Sequence, residues 1–156
     1  MEILSLIEQF QFNFLDDSRW QFIVSGLKNT IIITFFAVLL GVFLGFLIAI
    51  VRSTHDKTGK LKILNVICRV YLTVIRGTPT MVQLLIVYYV IFATVDPGKV
   101  IVAIIAFGMN SAAYVAEIVR SGIMSIDQGQ FEAGRSLGLN YTQTMTKIIL
   151  PQAVKN

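Results

Sequence analysis

Three stretches of the chain are long and apolar enough to cross a lipid bilayer. Residues 30–51 and 79–95 contain no Asp, Glu, Lys or Arg, and a third stretch covers residues 100–116 and extends to residue 119. About 20 residues of α-helix, at a rise of 1.5 Å each, cross a hydrocarbon core of about 30 Å. The pattern therefore predicts three transmembrane helices, of which the second is short and starts at Pro79.

The segment between the first two predicted spans is basic and amphipathic. Residues 52–77 contain six Lys or Arg residues. From Leu61 to Ile75 the apolar side chains recur at three- and four-residue steps, which leaves Arg69 and Arg76 for the other face of a helix. A helix with this pattern lies along the membrane surface. We therefore predict one interfacial helix here and not a fourth span.

Gly41 and Gly45 form a GxxxG pair in the first span. This spacing lets two helices approach closely, but it also arises by chance in apolar segments. Close helix packing and a chance occurrence therefore both stay open, and dimerisation through the pair is less favoured.

The distribution of positive charge predicts the orientation of the chain. Ten of the 13 Lys and Arg residues lie in the loop 52–76 or in residues 120–156, and such an excess marks the cytoplasmic side. Three spans then place the N-terminus outside, with residues 1–29 as an external leader. Residues 30–156 form the transmembrane domain, and residues 120–156 within it, here called the C-terminal segment, are cytoplasmic.

Composition narrows the class of protein. Apolar residues make up 55% of the 156 positions and charged residues 14%, against about 25% charged in an average soluble domain. A disordered chain and an ordinary soluble enzyme are therefore excluded. A single Cys68 and a single His55 exclude a disulfide framework and a Cys/His metal cluster within this chain, so we assign no metal ligand and no catalytic residue. The net charge is +4, but in a membrane protein the placement of positive charge matters more than its sum. We therefore expect no nucleic-acid partner.

The C-terminal segment predicts two short helices joined by a glycine turn. Asp127 and Asn140 are suitable N-caps, each with Gln three residues later in the capping-box position (Gln130 and Gln143). Gly138 can end the first helix in the left-handed conformation. A helix pair this small does not own a core, so we expect its apolar side chains to need a docking partner. These side chains are Phe131, Leu137, Leu139, Met145 and Ile149.

Seven residues of the C-terminal segment have the spacing of a known motif. They resemble the EAA motif (EAA, x3, G, x9, I, x, L, P) of the membrane subunits of bacterial ATP-binding-cassette (ABC) importers. The one departure is Gly134, which stands in place of the second Ala. The resemblance implies that these residues form the coupling site for an ATPase. They are Glu132, Ala133, Gly134, Gly138, Ile148, Leu150 and Pro151.

Three further strings are similar to the polar amino-acid uptake branch of these permeases. They are residues 76–79 (RGTP) followed by Gln83, residues 110–123, and residues 150–156. The resemblance implies a multi-pass protein of the bacterial inner (cell) membrane. It also implies a partner permease, identical or homologous, cytoplasmic ATP-binding subunits, an external solute-binding protein and a polar amino acid as the solute.

ATP hydrolysis is expected on a separate subunit. The chain has no GxxxxGK[ST] sequence, because no glycine stands five residues before Gly59 in Thr58-Gly59-Lys60. We therefore expect neither enzyme activity nor a cofactor in this chain, with ATP and magnesium bound by the partner ATPase subunits. The EAA helices would transmit the closure of those subunits to the spans. The spans would then open alternately to the two sides of the membrane.

Polar side chains inside the spans are candidates for the substrate path, because they are costly in lipid. Asn110, Tyr114 and Glu117 share one face of the third span, and the helix that begins at Pro79 has an amino end that favours anions. Simpler roles stay open: we favour an ion pair between Glu117 and Arg120, and Asn110 can hydrogen-bond a neighbouring helix. The candidate set is Thr78, Pro79, Gln83, Asn110, Ser111, Tyr114 and Glu117.

Relatives of this family usually continue through two more spans, whereas this sequence stops at Asn156. We expect a truncated product, a partial sequence or a form that works with another subunit. The alternative function is a transport-incompetent membrane module that docks an ATPase or a partner permease. An intramembrane enzyme is disfavoured because Ser111 has no His within any span. An ion channel is disfavoured because the spans have neither charged rings nor a filter-like segment.

Overall fold

The computed structural model describes residues 5, 8–15 and 18–155, and every regular element within these ranges is helical. The all-α fold class is thus confirmed. The helices are α1 (Trp20–Thr58), α2 (Lys62–Gly77), α3 (Thr80–Ile86), α4 (Lys99–Met124), α5 (Gln128–Ser136), α6 (Tyr141–Thr144) and α7 (Leu150–Ala153). Segments of π-helix lie at Gln11–Leu15, at Val87–Ile91 directly after α3, and at Met145–Ile149 between α6 and α7.

Two helices of the described chain, α1 and α4, are long and apolar enough to cross a membrane. A third span results if α2, α3 and the π-helical segment after α3 are counted as one broken span, bent by 111°. The chain is therefore an integral membrane protein with two or three candidate spans.

The first helix is longer than the apolar run that predicts it. α1 begins at Trp20, before the run 30–51, and ends at Thr58, after it, so that its 39 residues extend over about 58 Å. Gly59 ends the helix in the left-handed region (φ +68°) and donates its N–H to His55 O at 2.8 Å. The predicted leader 1–29 is thus helical from Trp20 onward, while its residues 1–4, 6–7 and 16–17 lie outside the described residues.

Small residues line the contact between α1 and α4. A β-carbon added to Gly41 would lie 2.5 Å from Ser111 Oγ, and one added to Gly45 would lie 2.7 Å from Val115 Cβ. The GxxxG pair therefore brings two helices of the same chain into close contact, which decides between the alternatives that the spacing left open. The buried residues of α1 follow at four-residue steps: Ala37, Gly41, Gly45, Ala49 and Ser53.

The second predicted span, residues 79–95, is wrong in length, because the helix in the structure is shorter than the apolar run. α3 begins at Thr80 and its π-helical continuation ends at Ile91, so this helix extends over only about 18 Å. Phe92 leaves the helical conformation, with φ −101° and ψ 22°, and the apolar residues after it form a turn. Hydropathy predicted the apolar length and not the helical length, because apolar side chains also occur in turns.

Replacing Gly41 with Ala should destabilise the protein, because the added methyl group would overlap Ser111. We expect a loss of about 1–3 kcal/mol in the free energy of unfolding, measured by denaturant unfolding in detergent. Gly26→Ala is the matched control, since Gly26 lies in the same helix and an added β-carbon meets nothing within 4 Å. That control should be neutral or stabilise by up to about 1 kcal/mol. Equal effects of the two substitutions would contradict the close contact.

Candidate functional site

The first helix of the C-terminal segment begins and ends as its sequence predicts. Asp127 caps α5 by accepting a hydrogen bond from Gly129 N at 2.6 Å. At the other end Gly138 adopts φ +78°, and Leu139 N donates to Gly134 O at 3.1 Å. This bond, together with one from Gly138 N, is a Schellman motif, so the direction of the chain after α5 is fixed by backbone hydrogen bonds.

The second helix of the segment begins with a complete capping box. Asn140 N donates to Gln143 Oε1 at 3.0 Å, and Gln143 N donates to Asn140 Oδ1 at 2.9 Å. The corresponding prediction for Gln130 is wrong: its Oε1 accepts from Gln152 Nε2 at 3.3 Å. That bond joins α5 to α7, which a local capping pattern does not predict.

The C-terminal segment has an apolar core that includes the end of α4, in contrast to the prediction that its helix pair does not own a core. Phe131 and Ile149 are buried against Ile123 near the end of α4 and Ile126 just after it. Burial raises the pKa of the neighbouring Tyr141 phenol. The prediction failed because it considered the two short helices without the end of α4. The remaining predicted side chains differ: Met145 packs against this core, Leu139 is half-buried and Leu137 is 77% exposed.

The seven EAA residues divide between the surface and the core. Glu132, Ala133 and Pro151 are exposed, and Gly138 forms an exposed turn. Gly134 is buried, and Ile148 and Leu150 pack against the apolar core. The exposed part of the motif is therefore one face of α5 with its glycine turn, together with Pro151 in α7, and the apolar part fixes the position of α5 against α4.

The departure from the EAA pattern at Gly134 matches a close contact with α6. A β-carbon added to Gly134 would lie 2.7 Å from Thr144 Cγ2 and 2.8 Å from Thr144 Oγ1. Thr144 is 3% exposed, so it cannot turn away into solvent. In this chain glycine lets α5 and α6 touch where the motif's usual Ala would push them apart.

A polar cluster holds the break between α2 and α3. Because Pro79 has no N–H, the carbonyl of Ile75 loses its usual helical donor. Gln83 Nε2 replaces that donor at 2.7 Å from Ile75 O, and it also lies 3.0 Å from Thr78 O and 2.8 Å from Thr78 Oγ1. Asn110 Nδ2 in turn donates to Gln83 Oε1 at 3.2 Å. The side chains of Gln83 and Asn110 are thus engaged with the protein and connect the break to α4.

Glu117 is the centre of an ion-pair cluster at the end of α1. Its carboxylate lies 2.9 Å from Arg52 Nη1 and 2.7 Å from Arg120 Nη2. Arg76 Nη1 is farther, at 3.6 Å, and Asp56 Oδ2 lies 3.2 Å from Arg120 Nη1. The predicted pair with Arg120 is present, while Arg52, Arg76 and Asp56 were missed. The available signal was the set of charges that flank the first and third apolar runs.

An open groove of about 670 Å³ lies between the ion-pair cluster and the C-terminal segment. Arg76, Tyr114 and Glu117 line its polar part, and the Arg76 guanidinium lies 6.0 Å from the centroid of the Tyr114 ring. Leu150 and Val154 belong to its apolar lining. Of the predicted path residues, only Tyr114 and Glu117 line this groove. Thr78, Gln83 and Asn110 lie in the polar cluster at the helix break, next to Pro79, and Ser111 packs against Gly41.

No group of three His, Cys, Asp or Glu side chains in the described ranges comes together in a way that could hold a metal ion. The acidic groups near the cluster, Asp56 and Glu117, are both paired with arginines.

The chain belongs to a family of membrane transport components. Residues 37–156 match the family model described as "Binding-protein-dependent transport system inner membrane component". This match covers most of the chain, and it identifies the protein as an inner-membrane permease component. The resemblance carried by the EAA spacing is thus confirmed.

Curated relatives narrow the branch of the family. The chain is 35% identical to a probable amino-acid ABC transporter permease of Bacillus subtilis, YckA, over 96% of this chain and 67% of the relative. It is 35% identical to the L-cystine permease TcyB of the same organism, over 97% and 63%. It is 37% identical to a putative glutamine permease, GlnP, of Rickettsia prowazekii, over 86% and 61%. The chain thus spans roughly two thirds of the length of these relatives.

A solved structure supports the same branch. The chain superimposes with a TM-score of 0.68 and 36% identity on the "Crystal structure of an amino acid ABC transporter with histidines", covering 85% of this chain and 64% of that one. The relatives are membrane permease subunits, a class that carries no enzyme activity of its own.

Replacing Gly134 with Ala should loosen the contact between α5 and α6, because the added methyl group overlaps the Thr144 side chain. Adding Thr144→Ala to this variant should relieve that overlap. The second substitution removes both atoms nearest to the added methyl group and leaves Thr144 Cβ at 3.3 Å. We expect each single variant to lower local stability by about 1–2 kcal/mol, and the double variant to lose less than the sum. Amide hydrogen exchange of α5 and α6 measures this local stability. Additive losses would show that the two residues do not oppose each other.

Proposed function

We propose that this chain is a permease subunit of an ABC importer for polar amino acids, and that its C-terminal segment couples an ATPase to the spans. The observation that carries the proposal is the division of the EAA residues. An exposed helix, α5, with Glu132 and Ala133 on its surface, is held by a buried core that is continuous with α4. A rigid helix held in this way can pass a displacement from a docked partner to a span.

The family and its relatives support a set of partners for this chain. We propose cytoplasmic ATP-binding subunits, which bind ATP and magnesium and dock on α5 and Leu137, the residue before its glycine turn. An external solute-binding protein agrees with the family description, and a second permease, identical or homologous, would complete the pathway. The relatives' names support an amino acid as solute.

The membrane arrangement is the second part of the proposal. We propose that α1, α3 with its continuation, and α4 are the three spans, and that α2 lies in the interface. The 111° bend between α2 and α3 supports this arrangement, because a helix that turns by about a right angle at Pro79 leaves the direction of the span. Tyr114 and Glu117, which line the groove, are the best-placed candidates for the substrate path.

The proposed orientation predicts which lysines are accessible from outside. In intact cells, a membrane-impermeant amine reagent should modify Lys99, which begins α4, and spare Lys60, which follows α1. Both side chains are exposed in the chain, so a difference in labelling reports the side of the membrane and not burial. Peptide mass spectrometry measures the labelling, and permeabilised cells provide the control in which both lysines react. Modification of Lys60 in intact cells would overturn the orientation.

The coupling role predicts that uptake is lost when Gly138→Val is combined with Glu132→Ala and is retained with Gly138→Asn. Val is β-branched and is strained at φ +78° by about 1–2 kcal/mol or more, whereas Asn tolerates this conformation. In vesicles with the partner ATPase and binding protein, combining Glu132→Ala with Gly138→Val should lower solute uptake by about tenfold or more and leave membrane insertion intact. Gly138→Asn alone should retain uptake.

Wild-type uptake by the double variant would refute the coupling role. If the unmodified chain stimulated ATP hydrolysis without any uptake, the function would instead be that of a docking module that does not transport.

A further inference from the structure

α1 continues past its apolar run as an extension that reaches the C-terminal segment. This inner extension, residues 52–58, contacts two other helices. Arg52 pairs with Glu117 at 2.9 Å and Asp56 with Arg120 at 3.2 Å, so two ion pairs join the extension to α4. The extension is therefore held against α4 below the glycine contact.

Lys57 joins the same extension to α5. Its Nζ donates to Gln128 Oε1 at 2.6 Å and lies 4.4 Å from the centroid of the Phe131 ring. Phe131 is 6% exposed and belongs to the apolar core of the C-terminal segment. One ammonium group thus contacts the first residue of α5 and the ring that anchors this helix, in the arrangement of a cation–π interaction.

These contacts change how a displacement of α5 can spread. α5 is connected to α4 by residues 125–127 and packs Phe131 into the apolar core at the end of α4, and a short helix held at that one end can still tilt about it. Attachment to a second helix removes this freedom. Because α1 and α4 are themselves in close contact at Gly41 and Gly45, a helix bound to both moves with them as one body.

We propose that Lys57 is a positioning residue that ties α5 to α1, so that a displacement of α5 moves α1 and α4 together. The inference rests on the proposed coupling function of the C-terminal segment. It adds a second mechanical connection, through the first helix of the chain, to the covalent connection through α4.

Lys57→Met tests the connection, because methionine keeps the length of the side chain and removes the ammonium group. The full transporter is reconstituted in vesicles with its ATPase and binding protein, and the number of ATP molecules hydrolysed per solute moved is measured. We expect this ratio to rise about threefold to tenfold, with the basal ATPase rate unchanged. Lys57→Arg should keep the wild-type ratio, since it restores the charge.

Lys60→Met is the matched control. Lys60 follows the inner extension, and its side chain is exposed, so this variant removes the same charge from the same region without changing the contact with α5. The ratio of ATP to solute should stay at the wild-type value. An equal rise in the Lys57 and Lys60 variants would overturn the proposal and assign the effect to local charge.

A double-mutant cycle separates the contact from a general loss of packing. Phe131→Leu removes the ring and keeps an apolar side chain in the core. If Lys57 acts through Phe131 and its helix, Lys57→Met should change the ratio less in the Phe131→Leu background than in the wild type. Equal changes in the two backgrounds would overturn an action through this ring.

A distance measurement tests the proposal independently of transport. Spin labels are attached to cysteines introduced by Thr58→Cys and Ser136→Cys in the full assembly, with Cys68→Ser so that the native thiol is not labelled. The two labels report the distance between the inner extension and α5. Lys57→Met should broaden the distribution of distances, and Lys60→Met should not. An unchanged distribution in Lys57→Met would overturn the proposal. Failure of wild-type uptake with a broadened distribution would instead refute the proposed function and leave the connection intact.

Discussion

The close approach of α1 and α4 is the contact on which the rest of the structure depends. Between helices in lipid there is little hydrophobic driving force, so small residues that allow backbone contact provide the packing. Gly41 and Gly45 meet Ser111 and Val115 with no room for a β-carbon. This fixed spacing brings the charged end of α1 next to Glu117, and it gives the C-terminal segment a rigid base.

The break between α2 and α3 is stabilised by polar side chains that supply the hydrogen bonds lost there. Pro79 removes the donor for Ile75 O, and Gln83 supplies it at 2.7 Å. In lipid an unpaired carbonyl costs several kcal/mol, so a polar residue at this position has a structural use whether or not a solute ever contacts it. The bond from Asn110 then ties the break to α4. A polar residue within a span is thus evidence of function only when its side chain is not already used to satisfy the backbone.

The EAA residues serve two physical purposes in this chain. Gly138 and the exposed face of α5 form a surface, while Ile148 and Leu150 hold that surface in place from within. Gly134 shows how a departure from the motif is accommodated, because Thr144 occupies the volume that a methyl group would need. In this chain, glycine at this position of the motif is therefore what allows a threonine at position 144.

Local patterns in the sequence determined the helical class, the positions of the two long apolar helices along the chain, and the caps at Asp127 and Asn140. These features depend on residues within a few positions of one another, or on hydropathy summed along one helix. The tertiary structure alone decided that Glu117 has Arg52 and Arg76 beside it, and which segments bury the aromatic and aliphatic residues of the C-terminal segment. Each of these depends on which residues meet across helices that are distant in sequence, and hydropathy along a single chain carries no information about such meetings.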